Sequence, residues 1–185
     1  ILLLGSVCND SKVLRRKGRL SFSGDPTETA ILAAAAQSGE NITDIGKEHP
    51  RLGETPFTSE RKMMATVNRF GSSLRLTVKG APDVLLPRCT LCADGGSTVS
   101  MTEQRRRMIA SQNDAMAAEA LRVIAVAYRS AASADDFDEN GLIFAGLIGM
   151  LDPPRPEAAQ AVKVCKQAGI TPVMITGDHI STCLL

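Results

Sequence analysis

Phe57, Lys62, Lys79, Arg122 and Glu28 between them hold the groups that recognise a phosphorylated aromatic ligand. They offer a ring to stack on, three cations for phosphate oxygens and a carboxylate for the polar edge of a base. With five Phe, one Tyr and no Trp in 185 residues, stacking rings are scarce, which singles out Phe57. Lys79 closes the alternating run Leu74, Leu76, Val78 and precedes Gly80. Its ammonium therefore stands at a strand end, beside a residue that lets a ligand approach the backbone closely. Thr176-Gly177-Asp178 follows an apolar run and supplies a hydroxyl, a backbone N–H and a carboxylate, a set suited to a phosphoryl group and its Mg²⁺. Each feature also has a reading that needs no ligand. Phe57 can be an ordinary core ring, Lys79 a solvated strand end, and Glu28 half of a capping box with Asp25. Arg122 can cover a sheet edge, Thr176-Gly177-Asp178 can be a plain turn, and Asp152-Pro153-Pro154-Arg155 a stiff linker.

Several classes are excluded. There is no G-x-x-x-x-G-K-[ST] and no G-x-G-x-x-G, which removes the P-loop, the kinase loop and the dinucleotide fingerprint. Twenty-one basic residues against twenty acidic ones give a net charge of +1, so no field favours nucleic acid or an anionic membrane, and the short Arg105-Arg106-Arg107 run reads as a solvated helix face. The longest apolar stretch, residues 142–151, falls short of the about 20 residues a spanning helix needs, so no direct membrane contact is expected. The apolar residues 1–4 carry no basic leader or cleavage site and read as a start inside a helix, within a larger parent. The five cysteines are scattered and odd in number, unlike a disulfide framework. Cys89 and Cys92 form a C-x-x-C, but neither His49 nor His179 lies at zinc-finger spacing, so no metal site is expected and the pair reads as reduced, partly buried thiols.

The elements that must position these residues follow from local signals. Residues 26–38 read as a helix with Asp25 as cap, Pro26 in its first turn and Gly39 as its stop. Residues 61–69 and 74–79 read as an antiparallel hairpin around Phe70-Gly71-Ser72-Ser73. A short helix from Pro82, a loop at Asp94-Gly95-Gly96, a helix over 102–120 and a strand over 123–128 follow. After a polar loop at 130–140, a strand at 142–151, a helix at 156–168 and a strand at 172–176 read as a parallel βαβ unit. The expected class is α+β, an antiparallel sheet flanked by helices plus this C-terminal βαβ fragment, with the first domain over 1–150 and a hinge and partial second domain over 151–185.

Gly24-Asp25-Pro26-Thr27-Glu28, Lys79-Gly80-Ala81-Pro82-Asp83, Asp152-Pro153-Pro154-Arg155 and Thr176-Gly177-Asp178, in that order, resemble the cytoplasmic part of type II P-type cation-transporting ATPases, the calcium-pump branch above all. Cys8-Asn9-Asp10, Phe57, Arg61-Lys62, Leu121-Arg122 and Met174-Ile175 extend the likeness over nearly the whole chain. The resemblance implies a nucleotide-binding domain with part of the haloacid-dehalogenase-like phosphorylation domain, and ATP with Mg²⁺ as cofactors. By the same likeness Phe57 stacks adenine, Glu28 bonds the base edge, and Lys62, Lys79 and Gly80 line the pocket toward base and phosphates. Arg122 then meets phosphate, Asp152 and Arg155 sit at the hinge near the ribose, and Thr176, Gly177 and Asp178 approach the γ-phosphate. The partners it implies are the phosphorylation, actuator and membrane domains of the parent pump.

Two departures stand out: Ser59 where calcium pumps often carry an arginine, and a C-terminus that cuts short the usual threonine-alanine helix. Neither the family's Asp-Lys-Thr-Gly-Thr nor its Gly-Asp-Gly-x-Asn-Asp occurs in these residues, so binding of ATP without turnover is expected of the chain alone. Two rival functions remain. One is a phosphatase using Asp136-Phe137-Asp138, which lacks a preceding apolar strand. The other is a non-catalytic interaction domain in which the motifs are relics.

Overall fold

The computed structural model describes residues 1–16, 19–151 and 156–173. Along the chain run α1 (Leu2–Val7), β1 (Lys12–Arg16), β2 (Arg19–Ser23), α2 (Pro26–Gln37), α3 (Ile45–Glu48), β3 (Arg51–Thr55), β4 (Met63–Phe70) and β5 (Ser73–Gly80). Then come α4 (Pro82–Leu85), a 3₁₀ turn (Leu86–Arg88), β6 (Cys89–Asp94), β7 (Ser97–Ser100), α5 (Glu103–Ala118), β8 (Arg122–Ala131), β9 (Leu142–Met150) and α6 (Pro156–Gln167).

β3 to β9 form one sheet in the order β3-β4-β5-β8-β9-β6-β7, and β1 and β2 pair separately as an antiparallel ribbon. β4 and β5 join through Gly71 and Ser72, with Phe70 opposite Ser73 and Met63 opposite Gly80. The sheet is covered on both faces, which explains why Met63 through Asn68 are buried without a break instead of in alternation. One face carries Met63, Ala65, Val67, Leu76, Val78, Ala125 and Phe144, packed with Leu85 of α4 and Ile109 of α5. α1 and α2 pack together, and Cys8, just beyond α1, donates its thiol to the Met64 carbonyl. The result is an α+β fold with a helix-flanked sheet, the expected class.

Local signals set the helix ends. The Asp25 side chain accepts hydrogen bonds from the Thr27 and Glu28 N–H groups, Pro26 takes the first turn, and Gly39 follows the helix with φ +94°. Thr102 caps α5 by accepting from Arg105 N–H at 3.2 Å, and α6 closes with Gly169 at φ +73°.

The expected C-terminal βαβ unit is not what the described residues form. β9 belongs to the main sheet, antiparallel to β8 and parallel to β6, because Leu142 and Phe144 bury in the same core as Ala125 and Ala127. Pro172 and Val173, the described part of the expected last strand, are not in a strand, and residues 174–176 lie outside the described residues. β4 begins at Met63, since Lys62 sits at φ +53° in a turn closed by its N–H to the Thr58 carbonyl at 2.7 Å. Residues 89–94 and 97–100, around the expected Gly95-Gly96 loop, are paired strands. β1, β2 and β3 were not foreseen.

Candidate functional site

The chain that leaves β3 carries Phe57 outward, 59% exposed. Arg61 ties that loop down, donating to the Pro56 carbonyl at 3.0 Å while its guanidinium pairs with the largely buried Glu139. Two strands along the sheet from β3, Lys79 is 8% exposed, one residue before the end of β5. Gly80 after it is required by packing: a Cβ there would lie 2.5 Å from the Lys62 carbonyl oxygen and 2.7 Å from Met63 Cγ.

Opposite stands the N-terminus of α2. Glu28 directs its carboxylate away from the helix it begins. One oxygen accepts from the Lys79 ammonium, and the other accepts from Asp10 N–H at 3.0 Å and Ser11 Oγ at 3.5 Å. The Asp25 half of the expected capping box is present, and the Glu28 carboxylate is taken up by Lys79 and the Asp10 N–H instead. Arg122, the first residue of β8, donates to Thr27 Oγ1 at 3.1 Å. Gly24, with φ +151°, lets the chain pass Ser11: a Cβ on it would fall 2.8 Å from Ser11 Cα.

Glu28, Phe57, Lys62, Lys79, Gly80 and Arg122 all line one cavity of about 710 Å³, within the range of small-molecule sites. Asp25 and its neighbours Gly24 and Thr27 also line it, with Ala81, and so do an apolar wall of Met64, Val123 and Ile124 and the side chain of Asp10. Met64, Val123, Ile124 and Asp10 were not among the candidate residues. Met64, Val123 and Ile124 read as plain strand residues, and for Asp10 the only signal was its place in Cys8-Asn9-Asp10. Ser59 does not line the cavity. Asp152, Arg155, Thr176, Gly177 and Asp178 lie outside the described residues.

Ring, apolar wall and cationic rim suit a flat base carrying an anionic tail. The cavity's acidic side chains are engaged within the protein: Asp10 with Arg51, Asp25 with the first turn of α2, and Glu28 with Lys79. Among the described residues no three His, Cys, Asp or Glu side chains converge to hold a metal. Burial pushes the Cys8 thiol up, against the pull of the nearby Lys79 ammonium, and burial likewise drives Cys89 up to about 12. Both are structural thiols.

Asp136 has a structural assignment as well. It pairs with Arg129 and accepts from Ala132 N–H at 2.9 Å, bracing the loop between β8 and β9. A nucleophile so engaged, and not at the end of a parallel strand, does not fit the phosphatase reading.

Residues 1–157 match the family model described as "P-type ATPase, cytoplasmic domain N". The chain is 43% identical over 179 residues to Calcium-transporting ATPase 1 of Bacillus cereus, covering 95% of this chain and 20% of that protein. It is 40% identical over 187 residues to the Calcium-transporting ATPase of Bacillus subtilis, covering 98% of this chain and 21% of the relative. It is 44% identical over 187 residues to Cation-transporting ATPase pma1 of Synechocystis, covering 98% and 20% respectively. The chain thus spans about a fifth of the length of the curated relatives it matches. Among the described residues no helix is long and apolar enough to cross a membrane. With the fold, the cavity and these matches in agreement, the chain belongs to the P-type ATPase cytoplasmic N-domain family.

Proposed function

We propose that this chain binds ATP in the cavity between β4, β5, β8 and α2, as the nucleotide-binding portion of a calcium-transporting P-type ATPase. One observation carries the reading: residues chosen for base stacking, base-edge bonding and phosphate charge, drawn from distant parts of the sequence, line a single cavity of nucleotide size. Adenine stacks on Phe57, the Glu28 carboxylate accepts from the base edge, and Lys62, Lys79 and Arg122 meet phosphate charge. Mg²⁺ travels with the triphosphate.

In the longer protein Asp152 and Arg155 approach the ribose and Thr176, Gly177 and Asp178 the γ-phosphate, which is presented to an aspartate outside this chain. The phosphorylation, actuator and membrane domains of the pump are the partners of that step, and ion transport belongs to the whole. The chain by itself binds ATP without hydrolysing it, since covalent phosphoryl transfer needs that carboxylate in line with the phosphorus.

The test is a titration of ATP against the wild type and Phe57→Ala. Stacking contributes about 1–3 kcal/mol per base, so the substitution should weaken saturable binding by about 5- to 150-fold. Equal binding by the two proteins, or no binding by the wild type, refutes the proposal in favour of a relic domain.

A further inference from the structure

We propose that Arg51, which does not line the cavity, is a positioning residue of this nucleotide site, acting through the Asn9–Ser11 segment on Glu28 and thereby on Lys79. This rests on the ATP-binding reading for its functional consequence.

The connection is a continuous set of bonds. Asn9 Nδ2 donates to the Glu28 carbonyl at 2.9 Å and Asp10 N–H to the Glu28 carboxylate at 3.0 Å, so one short segment holds both ends of that residue. Ser11 N–H donates to Asn9 Oδ1 at 2.9 Å, closing the segment on itself. The segment has no regular secondary structure, and its outer side is clamped by Arg51. One Arg51 nitrogen donates to the Asn9 carbonyl at 2.6 Å and, at 3.5 Å, to that of Val7; the other donates to Asp10 Oδ1 and Glu54 Oε2, each at 2.6 Å. A planar guanidinium can serve two carbonyls and two carboxylates together, whereas an ammonium of similar reach cannot hold that fork. The register of β3 against β4 shifts between Arg51 and Gly53, an irregularity of the kind that re-aims a side chain near a site.

If the clamp is removed, the Asn9–Ser11 segment loosens, the Asp10 N–H leaves Glu28, and the carboxylate that orients Lys79 loses its second anchor. The experiment has an arm without nucleotide and an arm with it. In the first, trace acetylation by acetic anhydride, read by mass spectrometry, compares Lys79 with the exposed Lys47 in the wild type, Arg51→Ala, Arg51→Lys and Asp10→Asn. Lys79 labelling should rise by about threefold or more in Arg51→Ala, by less in Arg51→Lys and Asp10→Asn, with Lys47 unchanged. In the second, ATP is titrated in a double-mutant cycle. Arg51→Ala should weaken binding about tenfold when Glu28 is present and less than about twofold in the Glu28→Ala background.

Unchanged Lys79 labelling, a uniform rise at every lysine, or additive losses in the cycle would each overturn the proposal. Should Arg51→Ala fail to fold, Arg51→Lys and Asp10→Asn carry the same comparisons. Failure of the wild type to bind ATP would sink the functional reading alone, because the labelling arm still decides whether Arg51 governs Lys79.

Discussion

The Lys79 ammonium donates to the Glu28 carboxylate across 51 residues of sequence, joining the end of β5 to the first turn of α2 with only 10% and 14% of the two side chains exposed. A pair so withdrawn from water is asymmetric: removing one member strands the other, while replacing both does not. Lys79→Ala should therefore lower stability by about 1–3 kcal/mol, and Lys79→Met combined with Glu28→Gln should recover most of that loss. Urea unfolding midpoints measure both, and a Lys79→Ala protein as stable as the wild type would contradict the burial argument.

The same lysine should discriminate among ligands. Its charge faces phosphate in the proposed complex, so Lys79→Ala should weaken ATP substantially more than adenosine. Calorimetric titration of both ligands gives the comparison, and equal losses would remove Lys79 from the phosphate end of the cavity.

Gly80→Ala tests the junction between β4 and β5. Its added methyl meets backbone, at 2.5 Å from the Lys62 carbonyl oxygen and 2.9 Å from Met63 Cα, atoms that cannot rotate aside. The expected cost is about 1–3 kcal/mol of stability together with weaker ATP binding, since Lys62 and Lys79 flank the displaced backbone. A variant that melts and binds like the wild type would show that the strands can separate there freely.

Asp136 predicts an acid limb. The Arg129 guanidinium, helped by the Ala132 N–H, holds its carboxyl well below the usual carboxylate range around 3.8. A depressed folded-state value favours the ionised native form, so its stabilisation is present above the unfolded value and disappears as pH falls through the folded one. The stability difference between the wild type and Asp136→Asn should be steady above about pH 5 and shrink below about pH 4. Thermal melts from neutral pH to about pH 2.5 would read this, and a difference that grows with acid would reverse the sign.

Legibility followed the range of the interactions. The ends of α2 could be read from Asp25, Pro26 and Gly39 because caps and left-handed stops act over a few residues. The β4–β5 hairpin was legible for the same reason, its turn lying within Phe70 to Ser73. β6 was not: Cys89 to Asp94 has no clean alternation, and it pairs in parallel with β9, far along the chain. β9 read naturally as the start of a parallel unit because its nine residues are apolar throughout, a pattern that any doubly covered strand shows, whichever sheet it joins.

Residue identities alone determined which groups were available to a nucleotide, the family they resemble and where the local helix signals fall. Sequence left open whether the Glu28 carboxylate would close a capping box or face a ligand. Only the tertiary structure took it out of the cap, by bringing Lys79 and the Asp10 N–H within bonding distance of that carboxylate. The physical reason is that a cap is satisfied by neighbours along the chain, whereas a buried carboxylate takes the cation and donor that the folded chain delivers from distant segments, and no local pattern encodes that delivery.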